Sequence, residues 1–157
     1  LSSLFNGSEL VYYKDKIFLS TSENFYIIDS NNGAILSKKK FSSLIRPLVF
    51  NKYIFLISKN NYLISLDING NIIYSYDLDN KLANFIKTKK KTLNIKNMMI
   101  VNNDIFIFLN NSYLIKLKID GEIEEVIKLA SNIGSHPIII NDKLLYLNKR
   151  NKLFVLN

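Results

Sequence analysis

Hydrophobic residues in this chain come in short runs dense in Ile, Leu, Phe and Tyr, each cut by a cluster of Asn, Asp, Lys or Gly. The runs lack a 3.6-residue period, and β-branched and aromatic residues dominate them, so they predict strands rather than helices. The stretch Tyr53-Ile54-Phe55-Leu56-Ile57-Ser58 reads as a buried strand, Lys59-Asn60-Asn61 as a turn, and Tyr62-Leu63-Ile64-Ser65-Leu66-Asp67 as the next strand. Asn69-Gly70 then predicts a type I′ hairpin, whose two central residues both need positive φ. A further strand over 71–78 and an earlier one over 44–50 complete a set of four. The same pattern predicts strands over 9–13, 17–22, 25–29 and 34–41, over 95–101, 105–109, 113–119 and 122–129, and over 137–140, 144–148 and 153–156. One helical turn is expected, over 80–87.

The sets are internal repeats. Lys14-Asp15-Lys16-Ile17-Phe18-Leu19, Asn51-Lys52-Tyr53-Ile54-Phe55-Leu56, Asn103-Asp104-Ile105-Phe106-Ile107-Phe108 and Asn141-Asp142-Lys143-Leu144-Leu145-Tyr146 align as a polar turn followed by an apolar strand. A second landmark follows the first three: Asp29 to Gly33, Asp67 to Gly70, and Asp120-Gly121. Four-stranded units repeating at about 40 residues are the signature of β-propeller blades. The expected fold is therefore all-β, a propeller of four-stranded antiparallel blades, with about four blades over 8–41, 42–78, 93–129 and 131–157. They form a single partial propeller domain over 1–157, with a basic insertion at 79–92.

The unit resembles the PQQ-type propeller repeat, whose core runs from Leu-Asp through Gly to a tryptophan. Asp29 to Gly33 and Asp67 to Gly70 match its middle, while Ser37, Tyr74 and Glu125 stand where the tryptophan would be. Within that family the final repeat is similar to the last blade of the BamB-like lipoproteins of outer-membrane barrel assembly. The likeness is carried by His136-Pro137-Ile138-Ile139-Ile140-Asn141-Asp142-Lys143-Leu144-Leu145-Tyr146 and Leu153-Phe154-Val155-Leu156-Asn157. This resemblance implies an eight-bladed ring of which the chain is the C-terminal half, and a periplasmic, outer-membrane-associated place. It also implies a protein partner, the barrel-assembly protein of that membrane, and a membrane-surface position through a lipid anchor outside this chain. Residues 1–7 parallel the loop at 41–44 rather than a spare strand, so the chain is expected not to close a ring alone. Its end blades would then expose apolar faces, to be met by the remaining half of the propeller or by self-association.

Composition narrows the chemistry. Hydrophobic residues make up 48% of the 157, enough for a packed core and too many for a disordered chain. The absence of cysteine excludes disulfides, thiolate metal sites and a cysteine nucleophile, without assigning a compartment. No run reaches the ~18 apolar residues of a membrane helix; the stretch over 97–115 comes nearest and is interrupted by Asp104. No signal peptide is present, and the first residue is Leu, which reads as a processed chain or a fragment. The net charge of +8 is almost all lysine, since Arg46 and Arg150 are the two arginines. With so much Asn and Ile alongside, that excess reads first as composition and second as a functional basic surface.

The function classes follow. His136 is the one histidine and stands beside Pro137 as a blade-end residue, with no motif making it a base or ligand. The five glycines are singletons at turns, so no phosphate loop is present. Asp15, Asp104, Asp142, Asp29, Asp67 and Asp120 recur at turns, where backbone hydrogen bonds explain them better than calcium does. Lys87, Lys89, Lys90 and Lys91 in the insertion, and Arg46 in an inter-blade loop, are the candidate partner-binding residues. Their partner would be acidic protein or a lipid surface rather than nucleic acid, for aromatic interleaving and arginine forks are scarce. The expected function is a non-catalytic interaction scaffold without cofactor, BamB-like. The alternatives are a ligand- or glycan-binding propeller and, less favoured without Trp or Cys, a quinoprotein dehydrogenase fragment.

Overall fold

The computed structural model describes residues 7–43, 45–141 and 143–156. Leu44, Asp142, Asn157 and residues 1–6 lie outside that description, and with them the expected start of a strand at Leu44, the turn Asp142 and most of the loop-like segment at 1–7. Two compact units divide between Thr92 and Leu93. The first holds β1(Val11–Tyr13), β2(Lys16–Ser20), β3(Phe25–Asp29) and β4(Ile35–Lys39), then β5(Leu48–Phe50), β6(Tyr53–Ile57), β7(Tyr62–Asp67), β8(Ile72–Asp77) and helix α1(Leu78–Phe85). The second holds β9(Ile95–Val101), β10(Asp104–Leu109), β11(Tyr113–Lys118), β12(Ile123–Lys128), β13(Ile138–Ile140), β14(Lys143–Leu147) and β15(Leu153–Leu156). Among the described residues every sheet is an antiparallel meander in chain order, three with four strands and the last with three. These are four propeller-like blades.

Hairpin register decides which side chains share a face. The closing pairs of the first hairpins are Tyr13↔Lys16, Phe50↔Tyr53, Val101↔Asp104 and Ile140↔Lys143. Asp104 is thus equivalent to Lys16, not to Asp15, and the third repeat sits one residue away from its sequence alignment. A one-residue slip exchanges the two faces of a strand. The pattern could not fix it because Ile105-Phe106-Ile107-Phe108 is apolar on both sides.

Counted from the closing residue, the second and fourth side chains onward define a forward face and the first and third a rear face. In the first unit, forward residues Phe18, Phe25 and Ile27 of the first sheet pack on rear residues Ile54, Leu56, Ile64 and Leu66 of the second. The rings of Phe18 and Phe25 stack at 6.5 Å, and Phe25 stacks on Phe41 of the connecting segment at 5.9 Å. In the second unit, forward residues Phe106, Phe108 and Leu114 pack on rear residues Leu144, Tyr146 and Phe154. The order is the same both times: forward face onto the next sheet's rear face.

Polar pins hold these pairs in register. Lys16 Nζ donates to the Ile68 carbonyl at 2.9 Å, and Lys59 Nζ to the Ser22 carbonyl at 2.5 Å. The Ser43 amide donates to the buried Ser20 hydroxyl at 2.6 Å, fixing the connection between the sheets. In the second unit Lys96 Nζ donates to the Ile133 carbonyl.

The turns differ from expectation in one respect. Asn69-Gly70 is not a type I′ pair: Gly70 alone takes positive φ, +89°, and closes a three-residue loop through its amide to the Asp67 carbonyl at 3.0 Å. The Asp67 carboxylate occupies the Asn69 and Asn71 amides at 2.8 and 2.9 Å, which pulls the loop into this longer form. Among the described residues the two-residue turns with both φ positive are Lys14-Asp15 and Asn102-Asn103.

Gly70 couples turn geometry to sheet packing. A Cβ there would lie 2.6 Å from Ser37 Oγ and 3.1 Å from Ile27 Cδ1 of the first sheet, whereas one on Gly33 (φ +75°) meets nothing within 4 Å. Gly33→Ala should cost about 1 kcal/mol, the left-handed backbone penalty alone. Gly70→Ala should cost about 2 kcal/mol or more, because overpacking adds to it. Urea denaturation of the two variants checks this; equal losses would mean that Gly70 does not set the sheet spacing.

Candidate functional site

The expected insertion is a capped helix followed by a lysine-rich loop. Asp77 is the N-cap of α1: its carboxylate accepts from the Asn80 amide at 3.0 Å and from Asn80 Nδ2 at 2.7 Å. The cap starts the helix two residues before the expected turn at 80–87. Leu78, Leu82 and Ala83 are buried. Asp79, also buried, accepts from Asn61 Nδ2 at 3.0 Å, and the Leu78 amide donates to the Asn61 carbonyl at 3.0 Å. These contacts dock the helix on the β6–β7 turn. Neither Asn61 nor Asp79 stood out in the sequence, because each looks like an ordinary turn residue.

Lys87 ends the helix in a left-handed conformation, φ +52°. Its amide donates to the Asn84 carbonyl at 3.3 Å and the Thr88 amide to the Ala83 carbonyl at 2.9 Å, the paired bonds of a Schellman C-cap. Lysine occupies the position that glycine usually takes. Beyond it, Lys87, Lys89, Lys90 and Lys91 are all exposed. Lys90 is tethered, its Nζ 2.8 Å from Asp77 Oδ2. Among the described residues Lys87, Lys89 and Lys91 have no ion-pair partner. Phe85 and Ile86 are exposed at 46% and 45%, so an apolar pair adjoins the cations. The lysine run was legible in sequence; the apolar pair was not, since nothing in the pattern marked those two residues as uncovered.

Arg46 lies between β4 and β5, its side chain 57% exposed and 4.0 Å from Glu9 Oε2. No ion pair or hydrogen bond joins it to the lysine loop among the described residues. A pair so exposed leaves the guanidinium free to exchange partners.

A separate open cleft of about 480 Å³ lies in the first unit, with Phe41 and Ile64 apolar in its lining and Ser22, Ser42, Ser58 and Ser75 supplying hydroxyls. Lys40, Lys59 and Glu23 add charge, and Tyr62 adds an aromatic ring. His136 stands in the second unit, Nδ1 2.8 Å from Asn97 Nδ2. Among the described residues no three His, Asp or Glu side chains are grouped to hold a metal ion. No helix among them is long and apolar enough to cross a membrane.

The geometry gives two expected outcomes. Lys87→Gly relieves a left-handed side chain and should raise stability by up to about 1 kcal/mol in urea denaturation; a loss instead would mean that the Lys87 side chain carries a contact the helix needs. The second outcome concerns Asp77. The Lys90 ammonium, then the Asn80 amide, hold its carboxyl below the ordinary 3.8. A depressed carboxylate pKa means the capping contribution is complete above 3.8 and is lost as pH falls through the lower folded value. In an NMR titration the Asn80 amide should shift with a midpoint below 3.8, and a midpoint at or above it would remove the Lys90 tether from solution.

No protein-family profile and no curated protein matches the sequence. Solved structures do match by fold. BamB from Moraxella catarrhalis superposes with a TM-score of 0.74 at 11% identity, covering 94% of this chain and 43% of that one. The computationally designed Ika4 protein gives 0.69 at 10% identity, covering 99% and 92%. The designed Ika8 protein gives 0.68 at 10% identity, covering 95% and 45%. This chain therefore spans less than half the length of the BamB and Ika8 chains and nearly all of Ika4.

Proposed function

We propose that this chain is a non-catalytic protein-interaction scaffold, a BamB-like component of outer-membrane β-barrel assembly acting in the periplasm. The observation carrying this reading is the four-blade match to BamB over 94% of the chain. The same proposal treats residues 1–157 as one partial propeller domain, with blades over 8–41, 42–78, 93–129 and 131–157 and a basic insertion at 79–92. Rigid sheets would hold the loops in place, and the partner would be bound without chemistry. Arg46, Lys87, Lys89, Lys90 and Lys91 are the proposed contacts, aided by Phe85 and Ile86. An exposed apolar pair gives a desolvated centre, while surrounding cations steer an acidic partner.

Biolayer interferometry against the purified periplasmic part of the barrel-assembly protein tests this. Binding should weaken by ~10-fold or more when Lys87, Lys89, Lys91 and Arg46 are changed to Glu, and should weaken with added salt. No binding of the unaltered chain at ~100 µM would overturn the reading.

The cleft favours a second reading, a ligand- or glycan-binding propeller. Tyr62 and Phe41 bring aromatic surface beside four serine hydroxyls there. On that reading Tyr62→Ala should abolish retention on a glycan array, while the lysine changes should leave it intact.

A further inference from the structure

The two end sheets of the chain carry the faces that the packing rule leaves over. The forward face of the last sheet consists of Ile138, Ile140, Leu145, Leu147, Leu153 and Val155, brought to one side by the pairs Ile138↔Leu145↔Val155 and Leu147↔Leu153. Ile138, Ile140, Leu153 and Val155 are each more than half exposed. The rear face of the first sheet consists of Tyr12, Ile17, Ile28 and Ile35 in one cross-strand row, with Leu19 and Tyr26 in the next. Tyr12 and Ile35 are exposed at 65% and 61%. Elsewhere the equivalent positions are sealed: Phe55, Ile57 and Leu63 on the second sheet's forward face, and Ile105, Ile107, Ile115 and Leu117 on the third sheet's rear face, are at most 2% exposed.

From these observations we infer that the forward face of the last sheet is covered by the rear face of the first sheet of a second copy of this chain. The occupant is set by the order already seen twice within the molecule, forward face onto rear face. A second copy supplies a rear face of the required kind, largely apolar, uncovered at Tyr12 and Ile35, and with Lys38 beside Tyr26 on it. A like-on-like contact of two forward faces would break that order. An apolar sheet face of this extent is costly to leave in water, and an unlike-face contact leaves each copy a second, identical contact to make. The inference is independent of the scaffold reading, because neither Arg46 nor the lysine loop belongs to either face.

Sedimentation equilibrium of the 157-residue chain is the test. The expected mass at ~100 µM is at least twice the 18.2 kDa of one chain, falling toward it on dilution. Val155→Lys in the last sheet and Ile35→Lys in the first should each weaken association by ~10-fold or more. Both positions are exposed, so unchanged circular dichroism should accompany the loss. Mixing the two variants should restore association, because the unaltered rear face of one meets the unaltered forward face of the other. A monomer at ~100 µM, self-association of Ile35→Lys as strong as that of the unaltered chain, or a mixture no better associated than its parts would each overturn the inference.

Discussion

The structure depends on stacking one apolar sheet face onto another. Each sheet is apolar on both sides, so no sheet of this chain is stable on its own in water. Phe18, Ile27, Ile54, Leu56 and Leu66 are completely withdrawn from solvent at a single contact. Burial of such side chains is worth roughly 1.5–3 kcal/mol each, against roughly 0.5–1.5 for a net hydrogen bond. The face-to-face contact therefore decides stability, and the polar groups around it decide alignment. The Gly70 turn belongs to the same constraint, since its missing Cβ lets the second sheet's loop approach Ser37 of the first.

Polar residues act chiefly at the ends of the strands. Asp29, Asp67 and Asp120 each accept backbone amides within their turns. The Asp67 carboxyl is held below its ordinary range chiefly by the Asn71 side chain. Lysines serve as spacers as well as surface charge. Lys16, Lys59 and Lys96 reach carbonyls far along the chain, and Lys116 lies 2.9 Å from both Asp104 and Glu124, which raise its pKa, Glu124 foremost. Part of the basic excess is thus structural. Among the described residues Lys87, Lys89 and Lys91 after α1 have no ion-pair partner, and the same holds for the run Lys38, Lys39 and Lys40.

The scaffold reading fits the same physics. Stacked sheets are stiff, and stiff sheets hold short loops at fixed positions with little entropy left to lose on binding. The helix after β8 is held by its cap, by the Asn61–Asp79 contact and by Leu78 beneath it, so the exposed Phe85-Ile86 pair projects from an anchored base rather than a floppy segment.

By itself the sequence determined the all-β blades, the order of their strands, the position of the lysine loop and the turn role of Asp29, Asp67 and Asp120, whereas Asp104 lies in β10 and pairs with Lys116. Strand runs of β-branched and aromatic residues between Asx and Gly turns have few other outcomes, and β3, β7, β9 and β15 have the limits expected. Tertiary structure decided what depends on two sides at once. The register of β10 was illegible because both its faces are apolar, so only the neighbouring sheets choose between them. The loop at Asn69-Gly70 followed the Asp67 carboxylate instead of its dipeptide preference. The exposure of Phe85 and Ile86 was decided by which neighbours are present, because an apolar residue has the same sequence signature whether or not something packs against it.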